Sequence, residues 1–309
     1  MKLKRRRAVI GLPIFMAVAL CGPPALFAGV ITLGAAQSFA VLSGAGVAIN
    51  GACCTVVSGN LGDYPLDVGA ITGIPTPGSL INGSVYAADR LPLIAQQARA
   101  DETLAYNALA LLTSTGNESG TILGTGGTVS TLLPGVYTFN SSAQVNGALT
   151  LNFNGESNAA FVFLIGTTLI TGAGAAIHAI GANSTDSIYW RVGDSATLGT
   201  GALFAGNILA LNAITLNTGA SIACGRALAY TASVTMAGTN FVSDDCSLYN
   251  TLTGYSSAGP TDFGSLGFSG ASQTAETPEP ANFLLLTIGL TGLMCRRRTQ
   301  RVPRLTDMP

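Results

Sequence analysis

One hexapeptide occurs three times in this chain, as Thr168-Leu169-Ile170-Thr171-Gly172-Ala173, Thr197-Leu198-Gly199-Thr200-Gly201-Ala202 and Thr215-Leu216-Asn217-Thr218-Gly219-Ala220. A motif that returns with the same Thr, Leu, Thr, Gly, Ala order is what stacked coils leave in a sequence, because each copy takes the same place in successive coils. The last two copies start 18 residues apart and the first two 29 apart, with the polar run Gly181 to Ser187 lying between them as an inserted loop. A degraded fourth copy starts at Ser233-Val234-Thr235, 18 residues on. The pattern predicts a β-solenoid. Strand alternation puts Leu169, Leu198 and Leu216 inward and leaves Thr168, Thr197 and Thr215 outward, with Thr171, Thr200 and Thr218 before glycine at the corner. The same order also suits a corner that needs only threonine backbone bonds and glycine, so two readings of these threonines stand.

Charge narrows what such a surface can do. Only 9% of residues are charged, against about 25% in an average soluble domain. Residues 29–277 hold four arginines (Arg90, Arg99, Arg191, Arg226), no lysine and 13 acidic residues. Nucleic acid is excluded as a partner, since phosphate binding needs clustered Lys and Arg. The exposed surface must be mostly neutral hydroxyls, amides and small apolar groups.

Both ends read as targeting segments. Lys2, Lys4, Arg5, Arg6 and Arg7 precede the apolar run Ala8 to Leu20, and small residues follow, which makes residues 1–28 a secretory signal peptide cut after Ala28. Export places Cys53, Cys54, Cys224 and Cys246 in an oxidising compartment where disulfides form. Four cysteines allow three connectivities, and the neighbours Cys53 and Cys54 are poorly suited to each other; they also read as small buried residues. At the other end, Pro278-Glu279-Pro280 leads into an apolar run from Ala281 to Cys295, and Arg296-Arg297-Arg298 closes it. That run is short of the ~20 residues of a stable spanning helix, and its basic cluster would stay cytoplasmic. In that order of parts the stretch 278–304 resembles the PEP-CTERM sorting signal. The resemblance implies a Gram-negative, exopolysaccharide-producing bacterium, an exosortase that cuts near Pro278-Glu279-Pro280, and a protein that is secreted or held at the cell surface, touching the membrane only through this helix before processing. Residues 305–309 form a tail, and the Ser/Gly/Thr-rich residues 249–277 read as a flexible linker.

Between these ends, residues 29–248 form one domain of short strands and turns, interrupted by a single helix over about 89–112. Asp89 is placed to cap that helix and Pro92 falls in its first turn. Leu93, Ala98, Ala105, Ala108, Leu109 and Leu112 form the apolar stripe expected to face the solenoid, and Asp101-Glu102 reads as a solvated face. Phe161 to Ile165 is apolar at every position, which predicts burial on both sides.

The run Ser187-Ile188-Tyr189-Trp190-Arg191-Val192-Gly193-Asp194-Ser195-Ala196-Thr197-Leu198-Gly199-Thr200-Gly201, followed by Phe204 to Ala210 and Ile214 to Ala220, resembles the signature of the microbial ice-binding-like family. Leu132-Leu133-Pro134-Gly135-Val136-Tyr137, Ala105 to Leu109 and Phe39 to Gly44 also match, in the family's order. The resemblance spans roughly residues 30–243. It implies a mainly β fold, a discontinuous right-handed β-helix of triangular section with one long helix along one face, and ice adsorption by another, flat face. Well-characterised members carry Thr, Ala or Gly, any residue, then Thr or Asn on that face, and Thr218 to Ser221 and Thr231 to Val234 match it in part.

Catalytic chemistry is not written into the chain. The acidic residues are scattered, Asp244-Asp245 reads as a capping turn, His178 is the only histidine, and no nucleophile elbow, phosphate loop or zinc spacing appears. No cofactor or metal is expected, and the chain reads as non-enzymatic. Threonine suits an ice surface because its methyl is apolar, its hydroxyl can anchor ordered water and its β-branch restricts χ1, so little entropy is lost on adsorption. The expected partner is an ice crystal surface, through Thr168, Thr171, Thr197, Thr200, Thr215 and Thr218. The alternative is a structural or adhesive protein that binds exopolysaccharide through the same neutral face.

Overall fold

The computed structural model describes residues 31–246 apart from 52–53 and 75–79. The signal peptide, the linker, the sorting segment and Cys53 lie outside the described residues.

Each coil is a triangle of short strands. One complete coil runs Gly135–Phe139, Ala143–Val145, Ala148–Asn152, and the next runs Ala160–Ile165, Leu169–Thr171, Ala176–Ile180. All pairings between named strands are parallel, and each strand pairs with its counterpart one coil away. The second side of every coil belongs to an eight-stranded sheet, and the other two sides share a fifteen-stranded one. These two sides are joined by Leu203–Ala210 and Ser221–Ala229, which run round a corner: Leu203 pairs with Ala176 on one side, Asn207 with Tyr189 on the other. Gly206 and Gly225 stack at that corner. A Cβ on Gly225, whose φ is +148°, would lie 2.0 Å from the carbonyl oxygen of Gly206, so only glycine lets the two backbones approach there.

Chain order and stack order differ. From residue 116 the coils advance to Phe241–Ser243, and the next coil in the stack is the N-terminal one: Val41 pairs with Ala227, Val47 with Val234, and Phe241 with Val56. The solenoid is therefore discontinuous, its beginning stacked on its end. The helix α1 (Pro92–Ala110) runs outside the stack and carries the chain back to the far end. It packs on the turn Gly34–Ser38 and on Ala160–Ile165, Ser187–Val192 and Val85–Tyr86.

Two apolar layers result. Inside the triangle, Phe161, Phe163, Ile165, Trp190 and Phe204 lie among inward leucines, valines and alanines. Phe163 and Trp190 stack with centroids 3.7 Å apart, and the indole N–H of Trp190 donates to Ala205 O at 3.0 Å. Between the helix-covered side and α1 lie Val136, Val162, Tyr189, Leu209 and Leu228. Phe161 to Ile165 is thus covered on both sides, because alternate residues enter different layers.

The helix departs from expectation in three ways. It starts at Pro92 behind Leu91, whose φ of +54° turns the chain, and Asp89 instead accepts from Val68 N at 2.7 Å. Leu93 is exposed, whereas Ala95, Ala98, Arg99, Glu102, Ala105 and Leu109 form the buried side. Asp101 and Glu102 are not a solvated face: Asp101 accepts from Ala35 N at 2.7 Å, and Glu102 is buried in an ion pair with Arg99. Arg99 also donates to the carbonyl oxygens of Ala229 and Tyr230, tying the helix to the last coil.

Cys224 and Cys246 form a disulfide with Cα atoms 4.5 Å apart, and Cys54 is also disulfide-bonded.

Candidate functional site: a flat threonine face

The eight-stranded sheet is built from strands of two or three residues. In each three-residue strand the outer two residues point inward and the middle one has only the outside to occupy. Register then sets the middle residues in one line: Ile122, Gln144, Ile170, Thr197, Thr215, Thr235, Ala48, Thr72. Neighbours in this line stand about 4.8 Å apart, the strand spacing.

Flanking lines lie two residues to either side, about 6.7 Å away along the strands. On one side Leu169 N donates to Ser195 O, Ala196 N to Ala213 O, Ile214 N to Ser233 O and Val234 N to Gly46 O, at 2.9–3.1 Å. These bonds align Thr168, Ser195, Ala213, Ser233 and Gly46. On the other side, bonds from Asn146, Gly172, Asn217, Ala237 and Asn50 to the preceding coils align those five residues. No charged side chain stands in the three lines. From Thr197 to Thr72 the face is therefore a grid of short neutral groups fixed by a backbone ladder, and at its other end Ile122, Gln144 and Ile170 stand in the same line as longer neutral side chains. One edge is tied by Asp194, which accepts from Asn212 Nδ2 at 2.5 Å, while Thr231 and Asn212 bond to each other.

The other two sides are less suited to a flat contact. One is covered by α1. The third carries Leu203, Ser221, Phe241 and Val56 in one line, with side chains of uneven size. His178 sits on that side opposite Thr150, and burial pushes its imidazole below the usual range, so it is neutral at pH 7. Among the described residues, no group of three or more His, Cys, Asp or Glu could hold a metal ion.

The sequence copies and the structural lines do not coincide. Thr197 and Thr215 pair directly and point outward. Thr200 and Thr218 lie exposed in the following corner, where Gly201 N donates to Thr218 O. Thr168 is shifted: Leu169 pairs with Ala196 and Ile170 with Thr197, so Thr168 falls in the flanking line beside Ser195. The same shift takes Thr171 off the surface. It is 4% exposed, and its hydroxyl oxygen accepts from Gly199 N at 2.8 Å. The fourth copy is displaced as well, since Thr215 pairs with Thr235 rather than Ser233. The cause is coil length, which is 27 residues from Ile170 to Thr197, 18 from Thr197 to Thr215 and 20 from Thr215 to Thr235. In the last of these a bulge sets Phe204 against Ile222 but Ala205 against Cys224, adding a residue. Thr235, Asn217, Ala48 and Thr72 are the face residues that the repeat alone did not supply. The Thr-x-Asn of Thr215-Leu216-Asn217 was the signal for one of them, and Thr218 to Ser221 and Thr231 to Val234 lie off the central line.

Comparison with known proteins gives a consistent answer. The family model described as ice-binding-like matches residues 41–242. An ice-binding protein of Nostoc sp. (strain HG1) is 44% identical over 220 residues, covering 71% of this chain and 76% of that relative. Among solved structures, an ice-binding protein from the Antarctic ascomycete Antarctomyces psychrotrophicus is similar with a TM-score of 0.59 at 36% identity, covering 69% of this chain and 97% of that one. LeIBP, an ice-binding protein from Arctic yeast studied for its antifreeze activity, gives 0.60 at 33% identity, covering 69% and 94%.

Proposed function

The chain belongs to the ice-binding-like family, and on that premise we propose that it adsorbs to ice through the threonine face, with Thr197, Thr215 and Thr235 at its centre. The observation that carries this reading is the unbroken run of three threonines on successive strands, on a face without charge. Ice presents a periodic array of water, so its binder needs periodic spacing and rigidity rather than a pocket. Charged groups would hold liquid-like hydration and spoil the match. Here the methyls shed water over the grid while the hydroxyls stand where ordered water can be held, and the β-branches leave few rotamers to lose. Thr168, in the flanking line, and Thr200 and Thr218, at the corner, extend this surface; Thr171 does not. No covalent step is involved.

The test is thermal hysteresis together with ice recrystallisation inhibition on residues 29–277, which contain every described element. Absence of any effect on ice at high protein concentration would overturn the reading, and binding to exopolysaccharide in its place would move the face to the adhesive role.

The address is part of the same proposal. The signal at residues 1–28 exports the chain, and Pro278-Glu279-Pro280 with Arg296, Arg297 and Arg298 hands it to an exosortase at a Gram-negative cell surface. Mass spectrometry of the mature protein checks both cuts; retention of Arg296 to Arg298 in the surface fraction would rule out the second.

A further inference from the structure

The outer side of α1 is the reverse of what a solvent-facing helix presents. Its charged residues Arg99 and Glu102 turn into the protein, and Asp101 is held by Ala35. Turned outward are Leu93, Leu104 and, at the C-cap, Leu111, which are 76%, 68% and 85% exposed. Gln97, Ala100 and Asn107 complete the outward line, and all three are exposed. Positions 93, 97, 100, 104, 107 and 111 follow one another at intervals of 4, 3, 4, 3 and 4 residues, the spacing of a helix-to-helix seam.

This line has the same chemistry read from either end. We propose that it is the interface of an antiparallel dimer formed with a second copy of this chain. A two-fold axis through the middle of α1 sets Leu93 against Leu111 of the second copy, Gln97 against Asn107 and Ala100 against Leu104. Apolar meets apolar, amide meets amide, and small meets large. An isologous interface must be complementary to itself, and this line satisfies that requirement without a charge to bury. Gln97 Nε2 already donates to Asp101 Oδ1 at 2.8 Å, which leaves its carbonyl oxygen to accept from the amide of Asn107 in the second copy. Ile94, also exposed, borders the seam. A bilayer fits this surface less well: the 13 acidic residues against four arginines in residues 29–277 would be repelled by anionic headgroups. One helix seam is at the small end of specific interfaces, so the dimer dissociates with a Kd in the micromolar range, roughly 1–100 μM.

Sedimentation velocity of residues 29–277 over about 1 μM to 1 mM reads the association directly. Leu104→Glu is expected to weaken it at least tenfold while thermal unfolding stays unchanged, because the residue is exposed in the single copy. Orientation is read by cysteine pairing: Gln97→Cys protein mixed with Asn107→Cys protein cross-links under mild oxidation, and Gln97→Cys protein alone does not. A single monomeric species at every concentration, an unaltered Kd for Leu104→Glu, or equal cross-linking of Gln97→Cys alone would each overturn the proposal. Ice activity is a separate readout, since Leu104 stands on a different side of the molecule from Thr197 and Thr215.

Discussion

A threonine in the middle of a three-residue strand has nowhere to turn but outward, and one residue later it has nowhere to turn but in. Thr215 shows the first case and Thr171 the second, and they separate function from stability. Thr215→Tyr places a ring in the centre of the grid and is expected to reduce thermal hysteresis at least fivefold, with thermal unfolding within about 2 °C of the parent, as a surface change of a few tenths of a kcal/mol implies. Thr171→Val is expected to do the opposite. It removes the acceptor for Gly199 N in the interior and lowers stability by about 1–2 kcal/mol, leaving ice activity per folded molecule unchanged. Calorimetry and hysteresis on the two variants check both, and loss of hysteresis in Thr171→Val at full folding would sink the assignment. The facing of these residues was only partly legible because alternation has period two. A shift by two residues keeps Leu169 inward, as the hexapeptide implied, yet moves Thr168 to the flanking line and Thr171 to the inside. The 27-residue coil from Ile170 to Thr197, two residues short of the hexapeptide spacing, sets that shift, while the bulge between Ile222 and Cys224 acts only in the later coil that ends at Thr235.

At the scale of one element, α1 was legible as a helix and largely legible as to which side faces in: Ala98, Ala105 and Leu109 of the expected stripe are buried with Ala108 and Leu112 packed beside them, while Leu93 faces out and the buried Arg99–Glu102 pair was missed. A stripe of leucines and alanines predicts an apolar inner side, but the inner side had to pass close over the coils, and alanines with the Arg99–Glu102 pair fill that space. The pair leaves a measurable trace. Burial pushes the Glu102 carboxyl up to about 7 against the opposing pull of Arg99, and burial pushes Asp244 up to about 6 against the pull of Arg226. Both groups hold a proton in the folded protein at pH values where the unfolded chain has released it. Their contribution to stability is therefore complete below about pH 4 and lost as the pH rises through 6 and 7. Thermal unfolding is expected at a higher temperature at pH 5 than at pH 8. Glu102→Gln, which cannot ionise, is expected to flatten that dependence by on the order of 2 kcal/mol. Titration of Tm against pH for the parent and variant checks it, and an identical slope in both would show that Glu102 is not the group responsible.

The whole molecule is held shut at the seam where its beginning meets its end, and the threonine face crosses that seam between Thr235 and Ala48. A repeat-based reading gives coils but not this closure, which was available only through the resemblance to a discontinuous fold. Arg226 sits at the seam. It is fully buried, its Nε donates to Gln37 O at 2.8 Å from the N-terminal segment, and its Nη1 donates to Asn207 Oδ1 at 2.8 Å in the neighbouring coil. Burial lowers its guanidinium to about 10, with Asp244 and Tyr189 opposing, so it remains charged throughout the neutral range. Arg226→Met keeps the bulk and removes these bonds together with the one from Nη2 to Gln37 O, taking guanidinium donors from the Gln37 carbonyl and the Asn207 amide, and is expected to cost about 3 kcal/mol. Because the N-terminal coils complete the hydrogen bonding of the last C-terminal coil, that loss should lower one cooperative transition rather than create two. Calorimetry decides the matter: a separate low-temperature transition in Arg226→Met, with the ice activity of the remaining stack intact, would show that the N-terminal coils fold as an independent cap and that the face can work without Ala48 and Thr72.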